Sequence, residues 1–404
     1  MPVPRAGPTG ASCSTTICRS RSTSARSRTS SRPRAEGLFA ALASAAMRRL
    51  LPSALLALAL GAPAVSAAAQ SPDTVPLAPA ERDRIVARAA ELVQRHYVLP
   101  APADAIAARL RARLRDGAYA GIDDADALRA QLEQDLQSVN QDKHLLVAFS
   151  REPLPKPVDA QAAAAAQAHL ARQYVRFNHC FYKAERMAGN VGYIDLRCFD
   201  QPEALAATAA ATFEFLAHTD ALIVDLRQNG GGWPAGVAQV SSHLLEGKVH
   251  LNDVLHREGH RVESYWTRAK LRGPRYLDRP VYVLTSSQTF SGGEEFAYNL
   301  QALKRARIVG ERTKGGAHPS SNHRLNDRFE ITIPFARSIN PITRTNWEGT
   351  GVVPDLPANA DEALGVAHLA ALRGLVGKDS DPTTAYEVSE AIKAAETSTA
   401  GARK

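Results

Sequence analysis

Val281-Tyr282-Val283-Leu284 and, a few residues on, Thr289-Phe290-Ser291-Gly292-Gly293-Glu294-Glu295-Phe296 decide how this chain is read. The first run is a buried strand. The second opens a helix whose apolar positions fall at Phe296, Leu300 and Leu303. A serine hydroxyl at such a strand-to-helix turn, beside N–H groups uncovered by two glycines, suits a nucleophile. Ser291 with Glu294 three residues later is also an S-x-x-E capping box, and taken alone the segment favours that reading.

The remaining parts of a serine nucleophile's site lie elsewhere in the chain. Ala221-Leu222-Ile223-Val224-Asp225-Leu226 reads as a second buried strand and runs into Arg227-Gln228-Asn229-Gly230-Gly231-Gly232. Successive glycines expose N–H groups to a carbonyl oxygen that gains charge, or form a flexible turn. The glycines are not followed by lysine, which argues against a phosphate loop. Asp142-Lys143-His144-Leu145 supplies a histidine able to take the serine's proton, and Glu348 supplies a carboxylate able to fix the imidazole's tautomer. Neither is diagnostic by itself.

Six segments in order, D-K-H-L at 142 to 145, G-N-V-G-Y-I-D-L at 189 to 196, D-L-R-Q-N-G-G-G at 225 to 232, T-S-S-Q-T-F-S-G-G-E-E-F at 285 to 296, G-E-R-T-K-G-G-A-H-P at 310 to 319 and E-G-T-G-V-V-P-D at 348 to 355, resemble the tail-specific (C-terminal processing) serine peptidase family. Within it the chain is similar to the branch holding tricorn protease and the repeats of interphotoreceptor retinoid-binding protein. The resemblance spans about Leu77 to Asp355. It implies an α/β fold, a crotonase-like ββα spiral preceded by a small helical domain. It also implies Ser291 as nucleophile, His144 as general base, Glu348 as the acid that orients it, and N–H groups near Gly231 and Gly292 as the oxyanion hole. No cofactor and no metal are implied.

Two positions depart from the family pattern. The processing branch carries a dyad lysine in a G-x-x-T-x-G-K-G run, and here Gly316 stands in its place. That favours the histidine mechanism and leaves Lys314 and His318 as site-lining groups or alternative bases. Lys143 stands where tricorn-type sequences have serine.

Composition sets the context. Residues 1–46 hold seven arginines, no lysine and one acid, without apolar periodicity, and read as a leader or a mis-assigned start. Met47-Arg48-Arg49, a short leucine-rich run and Ala67-Ala68-Ala69 have the form of a signal peptide over 47–69, with cleavage before Gln70. Without residues 1–69 the chain keeps 40 basic and 40 acidic residues, so the formal charge of +8 vanishes. Nothing then calls for nucleic acid or an anionic membrane, and no stable membrane span is expected in the mature chain. The oligomeric state is not encoded legibly.

Apolar residues recur at helical spacing at Ile85, Ala89, Leu92 and Val93, at Ile106, Leu110 and Leu114, and at Leu128, Leu132 and Leu136, predicting about three helices in a helical domain over 76–150. A linker and helix fill 151–190, too short for the peptide-binding PDZ domain that many relatives insert. Strands and helices alternate through the core at 191–377, and 378–404 reads as a polar, partly ordered tail. Cys180 and Cys198 are equidistant from Gly189, so a hairpin about Met187-Ala188-Gly189-Asn190 would bring them together as a candidate disulfide, with two free thiols as the alternative.

The reading is an exported, periplasmic or secreted serine peptidase acting on a peptide or protein through an acyl-enzyme at Ser291. Its alternative is a non-catalytic module binding a retinoid, a fatty acid or a peptide on the same fold.

Overall fold

The computed structural model describes residues 74–154, 160–378 and 380–401. The segments read as leader and signal peptide lie outside them.

Helices α1 (Pro79–His96), α2 (Pro100–Arg115) and α3 (Ala125–Gln137) form the N-terminal part. A proline in the first turn starts α1 and α2, where the missing N–H costs no hydrogen bond. The Asp124 side chain caps α3 by accepting the Ala127 N–H at 2.9 Å. The predicted apolar stripes meet in one core containing Ile85, Leu92, Ile106, Leu110, Leu128, Leu132 and Leu136.

That core is not closed by helices alone. The short strand β1 (Leu146–Phe149) follows α3 and pairs antiparallel with a strand far along the chain, Leu146 opposite Thr332 and Phe149 opposite Phe329. Phe329, Ile331 and Ile333 are thereby buried among the helices. The N-terminal part is therefore a helical layer completed by a strand from the later sequence, which local periodicity could not show.

Helix α4 (Ala160–Arg176) leads to strands β2 (Phe181–Met187) and β3 (Val191–Leu196), the expected hairpin. Met187 faces Val191 and Lys183 faces Asp195, and a bulge interrupts the pairing between Phe181 and Lys183. Cys180 and Cys198 are bonded, with Cα atoms 5.1 Å apart.

Next come α5 (Pro202–Phe215), β4 (Ala221–Asp225), α6 (Pro234–Ser241), β5 (His250–His256), β6 (Val262–Trp266), β7 (Val281–Thr285), α7 (Gly292–Ala302) and β8 (Arg307–Gly310). They are followed by β9 (Ser320–Arg324), β10 (Phe329–Pro334), β11 (Ala336–Ile339), β12 (Leu356–Pro357), α8 (Ala363–Leu375) and α9 (Pro382–Gly401). The main sheet has the order β12-β8-β7-β4-β3-β2, parallel except for β2 at its edge. Every residue of β4 and β7 is buried, as parallel strands covered on both faces require. Phe213, Val237, Phe296 and Leu300 belong to one core against the sheet, and Ala367, Ala371 and Leu372 of α8 to another.

The C-terminal segment differs from a polar tail. Helix α9 buries Val388 and Ala391, and Ala391 joins the α8 core. Its apolar residues are widely spaced among polar ones, so composition hid a helix that tertiary packing holds. Among the described residues no helix is long and apolar enough to cross a membrane.

Candidate active site

The ends of adjacent parallel strands build the centre of the site, the usual place for ligands in such sheets. β4 runs into residues 226–233 and β7 into residues 286–291. Three bonds tie the loops together: Thr289 Oγ1 donates to the Leu226 carbonyl at 2.8 Å, Ser286 Oγ to the Arg227 carbonyl at 2.6 Å, and the Phe290 N–H to the Asn229 carbonyl at 3.0 Å.

Ser291 stands at the head of α7 with φ 51° and ψ −118°. A non-glycine residue in that conformation costs on the order of 1–3 kcal/mol and persists only where its surroundings enforce it. Glu294 enforces it: its carboxylate accepts the Ser291 N–H at 2.9 Å, together with Thr313 Oγ1 at 2.5 Å and the N–H groups of Gly315 at 2.6 Å and Gly316 at 2.9 Å. The Glu294 end of the predicted capping box is therefore made, and the same carboxylate fastens the 311–319 loop to the serine turn. Burial pushes the Glu294 pKa up, against the pull of those donors.

In the glycine loop expected to supply oxyanion donors near Gly231, the individual N–H groups differ in what they meet. The Gly231 N–H is used internally, donated to Asn229 Oδ1 at 2.8 Å. Gly232 and Gly292 line the cleft, and their N–H groups have no acceptor among the described residues. A Cβ on Gly292 would lie 3.0 Å from the Gly232 nitrogen, so the two N–H groups are neighbours. Gly231 serves differently, since a Cβ there would stand 2.8 Å from that of Ser291.

His144 lies in the same cleft as Ser291, a space of about 630 Å³, with its ring stacked on Phe290 at 4.4 Å. The site of the absent lysine explains its place. A Cβ on Gly316 would come within 2.7 Å of His144 Cε1 and closer still to the Phe290 ring, so no larger side chain fits at 316 beside this histidine. Lys314 is spent elsewhere, its ammonium 4.7 Å from the centre of the Phe290 ring. Lys143 donates to the Lys314 carbonyl. Burial lowers the His144 pKa to about 4, with Asp142 pulling it up and His318 and Lys314 pushing it further down.

Glu348 is not on the second nitrogen of His144. Its carboxylate accepts the Ala317 N–H at 2.5 Å and lies 3.5 Å from His318 Nδ1. The carboxylate nearest His144 Nδ1 is Asp142 at 3.9 Å, and that nitrogen has no hydrogen-bond partner among the described residues. Asp142 accepts the His144 backbone N–H at 2.9 Å, the Tyr97 hydroxyl at 2.8 Å and His318 Nδ1 at 2.7 Å. Burial raises the Glu348 pKa to about 7, Asp142 adding to the rise. For His318, burial opposes the charge but the bond to Asp142 and the nearby Glu348 outweigh it, and its pKa rises.

Asp142 is the site residue that sequence reading passed over. Its signal was an aspartate two residues before the histidine, the spacing at which a carboxylate folds back onto a backbone N–H. The ligand-type atoms of Asp142, His318 and Glu348 lie within 4.8 Å of one another, a grouping of the kind that can hold a metal. Here the bonds just described occupy them with one another.

An α/β sheet with a strained serine at a helix head, and a histidine and two glycines with uncovered N–H groups lining the same cleft, fits the class of hydrolases that work through a serine. Residues 190–358 match the profile of Peptidase family S41, and residues 74–175 match the N-terminal domain of that family in eukaryotic IRBP. The chain belongs to this peptidase family. It is 27% identical over 175 residues to carboxyl-terminal-processing peptidase 2, chloroplastic, of Arabidopsis thaliana, covering 41% of this chain and 32% of the relative. To a carboxyl-terminal-processing protease of Synechocystis sp. it is 30% identical over 180 residues, 42% of this chain and 38% of the relative. The match thus spans about a third of these relatives' length. Among solved structures, a lipoprotein from Streptococcus agalactiae aligns with a TM-score of 0.49 at 14% identity, over 74% of this chain and 99% of that one.

Proposed function

We propose that the protein is an exported serine peptidase that cleaves peptide bonds through an acyl-enzyme at Ser291. The observation that carries this is the placement of Ser291, in a left-handed conformation at the head of α7, in one cleft with His144 and with the free N–H groups of Gly232 and Gly292.

His144 takes the hydroxyl proton as the Ser291 oxygen bonds to the scissile carbonyl carbon. It gives the proton to the amine as the carbon–nitrogen bond breaks, and water then hydrolyses the ester by the reverse roles. The depressed pKa keeps the imidazole neutral and able to accept a proton at neutral pH. Gly232 and Gly292 meet the oxyanion, each donor worth roughly 3 kcal/mol in the transition state. Asp142 takes the orienting part expected of Glu348, and Glu348 acts through His318.

The alternative of an apolar-ligand carrier fits this cleft less well, because His144, His256, Arg261, Glu263, Glu295 and His318 all line it. Export is supported by the signal-like segment 47–69 and by the Cys180–Cys198 bond, which an oxidising compartment preserves. The mature chain then begins at or near Gln70.

A fluorophosphonate probe should label the wild type and not Ser291→Ala, and the wild type should generate new peptide termini in a proteome digest. Equal hydrolysis by Ser291→Ala removes the reading.

A further inference from the structure

Glu295 has no part in the chemistry above, yet it lines the same cleft. It stands four residues after Ser291, in the first turn of α7, and lines the cleft together with it. Its backbone N–H donates to the Ser291 carbonyl at 2.9 Å, fixing the two together. The residue is 3% exposed, and Oε1 has no hydrogen-bond partner among the described residues.

The other glutamate of the cleft is fully answered. Glu263 has His256 Nε2 at 3.5 Å, Arg261 at 3.4 Å and the Tyr265 hydroxyl at 2.7 Å. Glu295 has no cation among the described residues, and its polar support comes from the Asn252 side chain. A buried carboxyl without a counter-charge holds its proton, and burial raises this one to about 8. Such a group is poised for a cation brought from outside. The head of α7, with its uncovered N–H groups, favours the carboxylate once a cation arrives.

Resting on the peptidase reading, we propose that Glu295 is the specificity determinant for the substrate residue on the acyl side of the scissile bond, and that this residue is lysine or arginine. The cleft lining supports both ends of such a side chain. Val254 and Trp233 offer apolar surface for the methylene stem, and Tyr265 offers a ring to the charged head. On binding, the Glu295 proton leaves to solvent and the carboxylate pairs with the substrate cation.

The test uses the full chain and matched fluorogenic peptides that differ only at this residue, arginine, lysine, glutamine, leucine or alanine. The wild type should show kcat/KM at least about tenfold higher for arginine and lysine than for leucine. Glu295→Gln should cut the arginine-to-leucine ratio by about 100-fold, the scale of a lost buried charge partner. A wild-type preference for leucine, alanine or glutamine overturns the proposal, as does an unchanged ratio in Glu295→Gln. If that variant does not fold, the wild-type ranking alone decides. Fluorophosphonate labelling of Ser291 separates the two levels: labelling with the wrong ranking sinks only this proposal, and no labelling sinks the peptidase reading and this proposal with it.

Discussion

His318 Nδ1 lies 2.7 Å from Asp142 Oδ2, while His144 Nδ1 stands 3.9 Å from the other oxygen of the same carboxylate. One buried aspartate thus faces two histidines, and only the second of them stacks on the residue before Ser291. The Tyr97 hydroxyl and the His144 N–H complete its acceptor set and hold it in place. A carboxylate held by three donors cannot follow His144 far, so closing the 3.9 Å gap would require movement of the ring.

The carboxylates should therefore rank in the order Asp142, then Glu348. Asp142→Asn should lower kcat/KM by about 10³-fold or more, as loss of the tautomer-fixing acid does elsewhere, and Glu348→Gln by about tenfold to 100-fold. His144→Ala should cost as much as Ser291→Ala, and the double variant no more than either. Because the His144 pKa is pushed to about 4, the acid limb of the wild-type kcat/KM profile should fall near pH 4 to 5. An order reversed between Asp142→Asn and Glu348→Gln would return the orienting role to Glu348.

Neighbouring glycines should differ sharply. Gly231 has φ 108°, and a Cβ would stand 2.8 Å from Ser291 Cβ and 2.9 Å from the Gly292 nitrogen. Gly230 has open space on that side. Gly231→Ala should lose at least about 100-fold in kcat, the scale of a disrupted oxyanion hole, and Gly230→Ala only a few-fold. Similar losses in both variants, measured at matched thermal stability, would argue for a flexible turn.

The strands and helices that carry the site were legible because their signals are local. The all-apolar β4 and β7 runs, the glycines after one and the S-x-x-E after the other can be read within a dozen residues each. Three things were not local. β1 completes the helical core only through β10, some 180 residues later, and neither has a pattern that names its partner. The family resemblance pairs Glu348 with His144, but the Ala317 N–H and His318 claim its carboxylate, and both follow from the path of the 311–319 loop. The Gly231 N–H is turned away from a ligand because Asn229, two residues upstream, bends back onto it. That bond depends on backbone turns that a run of glycines leaves unspecified.

Removing the disulfide should weaken the site as well as the fold. The bond closes a separation of 18 residues, worth about 3 kcal/mol by loop entropy. Cys198 sits between Arg197, whose carbonyl accepts the Gly230 N–H at 3.2 Å, and Phe199, whose N–H donates to the Gly231 carbonyl at 2.8 Å. Cys180→Ser with Cys198→Ser should lower urea stability by about that amount and reduce kcat several-fold through a looser glycine loop. Two free thiols by alkylation of protein purified without reductant would contradict the bond itself.

Stability should peak at mildly acidic pH, and the sign follows group by group. Burial depresses His144 and His243 to about 4, so their contribution is present above the unfolded value near 6.5 and fades as pH falls from there through 4. Glu348 at about 7 and Glu295 at about 8 behave oppositely, because both are raised chiefly by burial. Their contribution is complete below the unfolded value near 4.5 and is lost as pH rises through 7 and 8. Between 4.5 and 6.5 the two pairs oppose each other and stability is nearly flat. Above 6.5 the loss from the glutamates is no longer opposed by His144 and His243, and His318, whose pKa is raised, adds to it. Urea unfolding at pH 8 should give a free energy roughly 2 kcal/mol below that at pH 6, and Glu295→Gln should remove much of the difference. Equal or greater wild-type stability at pH 8 would mean that Glu295 is ionised in the free protein, with a partner of its own already in place.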